Sequence, residues 1–316
     1  MVTIICLCYN QAPYVSSALA SVLAQSYADW ELLIVDDAST DNSAETILAY
    51  LASQATKGYT QPITFIQNKV NQGNCKSFNL AYRQASGDYV IDLAGDDVLL
   101  PERVGKQVAL FQTLPADYGV IFSNANHVNE QGEILHIHHK PNEFVPTGEV
   151  YEAVLKQYFI CTPTMMMRRQ VLDELGGYDE TLSFEDFDFW VRSAKKYKYH
   201  YQNEVTTLKR KVKNSLSAQF YRTKQNVHLQ STLKVLEKAL AYNETAGEHK
   251  ALQVCVAYHL RQAFFTQNFD LVKKYETLWR KIPTATFPRW LLVIGLLSKV
   301  RIKVFWLYKR YLKWRF

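Results

Sequence analysis

Along the first 125 residues, apolar blocks of strand length alternate with stretches whose apolar residues recur at helical spacing. Val2 to Cys8 forms the first apolar run. Asn10 and Gln11 break it, and Pro13 is placed to open a helix carrying Val15, Leu19, Val22 and Leu23. Glu31 to Val35 predicts a second strand, ending in Asp36-Asp37. Asp41-Asn42-Ser43 can cap a helix that carries Ile47, Leu48 and Leu51. Thr64 to Ile66 is a third strand, and a helix over Lys76 to Ala85 leads to a fourth strand, Tyr89 to Leu93. Gly95-Asp96-Asp97 follows, before Pro101 opens the next helix.

This β-α-β-α alternation predicts a mainly parallel sheet covered by helices on both faces. Ligands bind such sheets beyond the carboxyl ends of the strands. Asn10, Asp37, Asp96 and Asp97 all fall at such ends, and that convergence places a candidate site there. Residues 119–205 are mixed: a strand at Gly119 to Phe122, a hairpin turn at Gly132, a short apolar run at Met165 to Met167, and a helix ended by Gly176-Gly177. Phe184 to Tyr197 reads as a helix that opens with acids, and residues 226–242, 248–267 and 269–281 read as further helices. The division expected is an α/β domain over 1–220, a helical extension over 221–282 and a basic-aromatic tail over 283–316.

Net charge is +6, but from Phe287 to Phe316 there are eight Lys/Arg and no Asp/Glu. The rest therefore holds 28 basic and 30 acidic residues, which argues against nucleic acid as a partner of the body. Five cysteines, with no CxxC pair, fit a reduced cytoplasmic setting. The N-terminus starts on a strand and lacks the pattern of a signal peptide.

Adjacent carboxylates at Asp96-Asp97 repel each other, which is costly unless a cation resides there. A hard ion such as Mg²⁺ or Mn²⁺ takes one or two carboxylates plus phosphate oxygens, and would suit a diphosphate leaving group. The alternative is a turn capping the helix after Pro101. Asp37 can accept hydrogen bonds from a nucleobase or ribose, or cap the Asp41–Ser43 turn. Glu185, Asp186 and Asp188 sit at a helix start, where acids are favoured by the macrodipole. One of them, against the aromatics Phe184, Phe187, Phe189 and Trp190, can instead act as general base on an acceptor hydroxyl. Glu185 and Asp188 share a face; Asp186 points elsewhere. Lys76 at a helix start suits a phosphate, or is a solvated surface lysine. His136, His138 and His139 have no further partner at a zinc spacing, so an exposed polar hairpin strand is expected.

From about Val2 to Ser217 the chain resembles the inverting family 2 glycosyltransferases, of the GT-A fold and of bacterial surface-polysaccharide type. The resemblance lies in Cys8-Tyr9-Asn10, Ser21 to Tyr27, Val35 to Asp41, Asn71-Gln72-Gly73 with Asn79, Ser86 to Tyr89, Gly95-Asp96-Asp97, Gly176 to Asp179 and Glu185-Asp186, in the family's order. It implies a Rossmann-like mixed sheet followed by a helical C-terminal region. It also implies a nucleotide-sugar donor, usually of uridine, bound by Tyr9, Asn10, Asp37, Lys76 and Asp96. Asp97 with Asp96 would bind Mn²⁺ or Mg²⁺, and Asp186 would be the catalytic base, supported by Glu185. Three departures stand out: Leu7-Cys8 replaces the usual Pro-Thr, Ala94 stands where longer metal motifs begin with Asp, and Arg210-Lys211-Val212 lacks the family's His. A sugar nucleotidyltransferase or a dehydrogenase would need a glycine-rich loop after strand 1, which Asn10-Gln11-Ala12 is not. An inactive scaffold on the same fold is the other alternative.

The apolar run Trp290 to Leu297 falls far short of the roughly 20 residues needed to span a bilayer. As a helix, the following stretch would align Ile302, Phe305, Trp306 and Leu312 among basic residues. That composition suits an anionic membrane interface, and hence a lipid-linked or other glycan acceptor at the inner face of the cell membrane. Docking of the tail on its own protein or on a second copy is the alternative.

Overall fold

The computed structural model describes residues 1–55, 60–212, 223–283, 288–302, 305–306 and 310. The chain forms two compact units that interleave in sequence. One comprises Met1–Val150, Phe159–Glu180 and Lys196–Val212; the other comprises Tyr151–Tyr158, Thr181–Lys195 and Lys213–Phe316.

The first unit is built on β1 (Val2–Cys8), β2 (Trp30–Asp36), β3 (Ile63–Gln67) and β4 (Tyr89–Ala94), interleaved with α1 (Val15–Leu23), α2 (Ser43–Ala55) and α3 (Asn74–Tyr82). β1 and β2 are buried at every position, as parallel strands covered on both faces must be. Their spatial order is β3-β2-β1-β4, all parallel, so the chain reverses direction across the sheet between β1 and β4. The register aligns Cys8 with Asp36 and Leu7 with Ala94, bringing three strand tips level. Val15, Leu19 and Val22 of α1 join Val104, Val108 and Phe111 of α4 (Arg103–Thr113) over Ile4, Leu32 and Ile91.

Beyond β4 the sheet becomes mixed, as expected. β8 (Met166–Arg168) runs antiparallel to β4 and to β6 (Tyr118–Val128), and β6 pairs in parallel with β9 (Lys198–Arg210). β5 (Val98–Leu99) pairs with β9, and β7 (Ile134–Ile137) with β6. α6 (Arg169–Leu175) ends at Gly176, in the left-handed conformation, as its sequence predicts.

Two family-like motifs serve the frame. Buried Glu31 accepts hydrogen bonds from Thr3 Oγ1 (2.5 Å), Ser86 N (2.6 Å), Ser86 Oγ (2.9 Å) and Gly87 N (3.2 Å), locking the Ser86-Gly87-Asp88 turn under the sheet. Asn79 bridges Tyr178, receiving its N–H at 2.9 Å and donating to its carbonyl at 2.8 Å. Gly177 has φ +77°, and a Cβ there would lie 2.5 Å from Asn79 Oδ1, so only glycine fits.

The second unit contains α5 (Tyr151–Lys156), α7 (Asp186–Ala194), α8 (Val227–Tyr242), α9 (Ala246–Phe265), α10 (Phe269–Lys281) and α11 (Arg289–Lys299). Asn226 caps α8, and Thr245 with Glu248 forms a capping box on α9. Asp188 of α7 is almost fully buried between Arg192 Nε and Lys238 Nζ, both at 2.6 Å, which ties α7 to α8. Removing one partner of such a buried pair typically costs about 3–5 kcal/mol.

The structure differs from the sequence expectation in several places. Residues 151–158 and 181–195 group with the C-terminal helices instead of with a body ending at 220; residues 213–222, and so that boundary and the last of the stretch up to Ser217, lie outside the described residues. Pro13 lies in a turn ahead of α1, which starts at Val15 because Tyr14 is the N-cap. β5, α5 and the thirteen-residue β9 were not evident from periodicity.

Candidate active site

The crevice where β1 and β4 part is where ligands bind open sheets of this kind. Gly95 follows β4 and presses on β1: its N–H donates to Leu7 O at 2.8 Å, and a Cβ there would lie 2.7 Å from Gln11 Oε1. The turn that Gly95 permits delivers Asp96 and Asp97, both buried. Asp97 Oδ1 accepts the Arg210 N–H at 2.8 Å. Arg210 also donates from Nε to the Asp96 carbonyl (3.1 Å) and from Nη1 to the carbonyls of Asn129 and Glu130 (both 3.0 Å), and its guanidinium lies 5.0 Å from the Tyr14 ring centroid. The arginine thus clips the carboxylate turn to the β6–β7 turn. The sequence around Arg210-Lys211-Val212 shows only the absent His and gives no local signal of this role for the arginine.

Burial, then the charge of Asp96, pushes the Asp97 carboxyl up to about 7. Burial likewise raises Asp96, opposed by Arg210 and Lys209. Among the described residues, no group of three or more His, Cys, Asp or Glu is arranged to hold a metal ion. Two carboxylates on one turn are the donor set of a hard divalent ion that completes its shell with phosphate oxygens and water, so these residues fit Mn²⁺ or Mg²⁺. A cation bound there would compete with the proton for Asp97. Because its folded pKa is raised from 3.8, the metal-free protein loses stability from this group as pH rises from about 4 to about 7. The gain in Tm on adding Mn²⁺ with UDP is therefore expected to be larger at pH 8 than at pH 6. Equal gains at both, by scanning fluorimetry, would contradict a carboxylate ligand of this pKa.

On the β2 side, Asp37 is spent largely on the loop between β3 and α3. Its carboxylate accepts from Asn68 Nδ2, Gln72 N and Gly73 N, each at 2.8 Å, with Gly73 at φ +85° before α3. A carboxylate has about four lone-pair sites, which leaves one for a ligand. Asn10, at φ +54°, accepts on Oδ1 from Thr40 N (2.7 Å) and Asp41 N (3.3 Å), so its side chain ties down the 39–41 loop. Tyr9 beside it is exposed, as is Lys76 in the first turn of α3. Lys209, on β9, is near enough to act electrostatically on both Asp96 and Asp97; sequence reading missed it.

In the second unit, Asp186 opens α7. Its Oδ1 accepts the Phe187 N–H at 2.7 Å, and its Oδ2 accepts from the Tyr158 hydroxyl. The Tyr158 ring packs on buried Trp190, with centroids 4.6 Å apart, so aromatic rings flank this acid. Asp188, by contrast, is a structural ion-pair partner, while Glu185 is half-buried at the N-cap.

The histidine strand is less exposed than its sequence implied. His136 is exposed, but His139 is buried, and His127 Nε2 lies 3.1 Å from His138 Nδ1. His138 Nε2 and His139 Nε2 both face the Phe159 carbonyl, at 3.3 and 2.8 Å. Burial first, then neighbouring cations, holds His127 down to about 3; burial then His139 holds His138 to about 4.

The model of the family described as Glycosyl transferase family 2 matches residues 3–176, more than half of the chain. The chain is 32% identical over 187 residues to the putative glycosyltransferase EpsE of Bacillus subtilis, covering 58% of this chain and 63% of that protein. It is 26% identical over 196 residues to the Escherichia coli protein named UDP-Glc:alpha-D-GlcNAc-diphosphoundecaprenol beta-1,3-glucosyltransferase WfgD, covering 62% and 70%. Among solved structures, S. aureus TarS 1-349 in complex with UDP-GlcNAc superposes with a TM-score of 0.69 at 16% identity, over 95% of this chain and 87% of that one. The mannosyltransferase PcManGT from Pyrobaculum calidifontis, in complex with GDP-Man and Mn²⁺, gives 0.58 at 18% identity, over 99% and 82%. These likenesses match the GT-A architecture described above.

Proposed function

Because the chain belongs to the family 2 glycosyltransferases, we propose that it is an inverting, metal-dependent enzyme that moves a sugar from a nucleoside diphosphate sugar to an acceptor hydroxyl. The observation that carries this reading is the pair of buried, adjacent carboxylates, Asp96 and Asp97, at the tip of β4 beside the end of β1. Keeping two such acids together is unfavourable without a cation, and a cation at that crevice is placed to meet a diphosphate.

Asp97, with Asp96, would hold Mn²⁺ or Mg²⁺, which when bound would supply positive charge to offset that on the departing diphosphate. Tyr9, Asn10 and the remaining acceptor site of Asp37 line the nucleoside side, and Lys76 at the start of α3 serves the phosphates. Asp186 takes the proton from the acceptor hydroxyl as that oxygen attacks the anomeric carbon from the face opposite the leaving group, with Glu185 in support. One displacement inverts the configuration. A UDP-sugar donor is supported by the UDP-GlcNAc complex of TarS and by the UDP-Glc in the name of WfgD, and a lipid-linked acceptor, as surface-polysaccharide synthesis would use, by the diphosphoundecaprenol in the same name. Five cysteines with no CxxC pair fit a cytoplasmic setting.

The test is a panel of UDP-, GDP- and dTDP-sugars with Mn²⁺, read by thermal shift and by release of nucleotide. One nucleotide class is expected to stabilise the protein in a metal-dependent way and to turn over with that metal. Stabilisation without any turnover would favour the inactive scaffold, and no response to any donor would sink the proposal.

A further inference from the structure

α11 has two faces of opposite fate. At about 100° per residue, Leu291, Gly295 and Ser298 fall together on one side, while Val293, Leu296 and Val300 fall together on the other. The first side is packed: Leu291 and Ser298 are buried, and a Cβ on Gly295 would lie 3.0 Å from Glu276 Oε1 of α10. The second side is apolar yet open to solvent, with Val293 52%, Leu296 62% and Val300 69% exposed. A surface helix ordinarily turns polar residues outward. Beyond it, Ile302 and Trp306 are exposed too, alongside exposed Lys299, Arg301 and Arg310.

We propose that this outer face of α11, with the exposed Lys299 and Arg301 beside it, is a docking surface for an anionic lipid bilayer. Three observations select that occupant. The apolar stripe lies opposite the packed side, so it can enter an interface without disturbing α10. The segment from Phe287 to the last residue carries eight Lys/Arg and no acid, and like charges of that density repel a second copy of the chain. No helix among the described residues is long and apolar enough to cross a membrane, so attachment through this helix is interfacial. Val293, Leu296 and Val300 enter the acyl boundary while Lys299 and Arg301 meet lipid phosphates.

Flotation of the full chain with vesicles tests this. Binding is expected to phosphatidylcholine vesicles containing phosphatidylglycerol, and not to phosphatidylcholine alone, and it should weaken with added salt. Leu296→Asp with Val300→Asp should cut partitioning by about tenfold or more, and Lys299→Gln with Arg301→Gln should weaken it on anionic vesicles only. Both pairs of positions are exposed, so the Tm and nucleotide-induced thermal shift should stay at the wild-type level. Equal partitioning of wild type and the Leu296/Val300 variant would overturn the proposal. So would a wild-type dimer in sedimentation velocity that the same variant dissociates, which would assign the face to a second copy. Neither result bears on sugar transfer, which rests on other residues.

Discussion

Asp186→Asn is expected to lower sugar transfer by roughly 10²- to 10⁴-fold while leaving nucleotide affinity within about twofold of wild type. An amide keeps the shape of the carboxylate, can still accept the Phe187 N–H and can still meet the Tyr158 hydroxyl. What it loses is basicity, the one property that proton abstraction requires. Steady-state transfer assays combined with calorimetric titration of UDP separate the two quantities. The companion control is Asp188→Asn: Asp188 is locked to Arg192 and Lys238, so its loss should appear first as a lower Tm. If Asp186→Asn transferred sugar at the wild-type rate and Asp188→Asn did not, the base would have to be reassigned.

Asp97→Asn should produce a second large loss, roughly 10²-fold or more in kcat, together with loss of the Mn²⁺ requirement for nucleotide binding. It carries an unusual corollary. The introduced amide would still accept the Arg210 N–H through its carbonyl oxygen, but the substitution would remove a buried charge pressed against Asp96. At pH 8, where Asp97 is ionised, the metal-free variant is therefore expected to be more stable than wild type by about 1 kcal/mol, or roughly 2–4 °C in Tm. A variant that is less stable without metal would mean that the carboxylate is held for the frame and not for a cation.

The four parallel strands and their helices were legible because both periodicities were strong and the turn residues unambiguous. β1 and β2 are buried throughout and largely aliphatic, and Asn10 just past β1 and Asp36-Asp37 at the tip of β2 stood out against that background. β9 escaped notice because Tyr199, Gln202, Thr206 and Thr207 carry its buried positions, and none of them marks a core by hydropathy alone. Asp37, Asn10 and Asn79 were recognised as a pattern, but their hydrogen bonds run to loops 30 to 99 residues away and could not be read from local sequence. The same holds for Lys238, which reaches Asp188 across 50 residues, and for Arg210, whose five ties to other segments have no motif. Local patterning specified the elements; the partners of each polar group were fixed only by the topology of the sheet and bundle.

The chain passes between its two units five times, at 150/151, 158/159, 180/181, 195/196 and 212/213. This threading limits how the protein can be recombined. An engineer wishing to graft a foreign helical module after residue 212 would leave behind Tyr151, which donates to Asn243, and Asp188 and Lys195, whose counter-ions Lys238 and Glu248 would depart with the excised piece. Chimeras should therefore exchange residues 151–158, 181–195 and everything after 212 as a set. By the same logic, drift in one of these three stretches constrains the others, so the second unit would change as a block and not by swapping a terminal appendage.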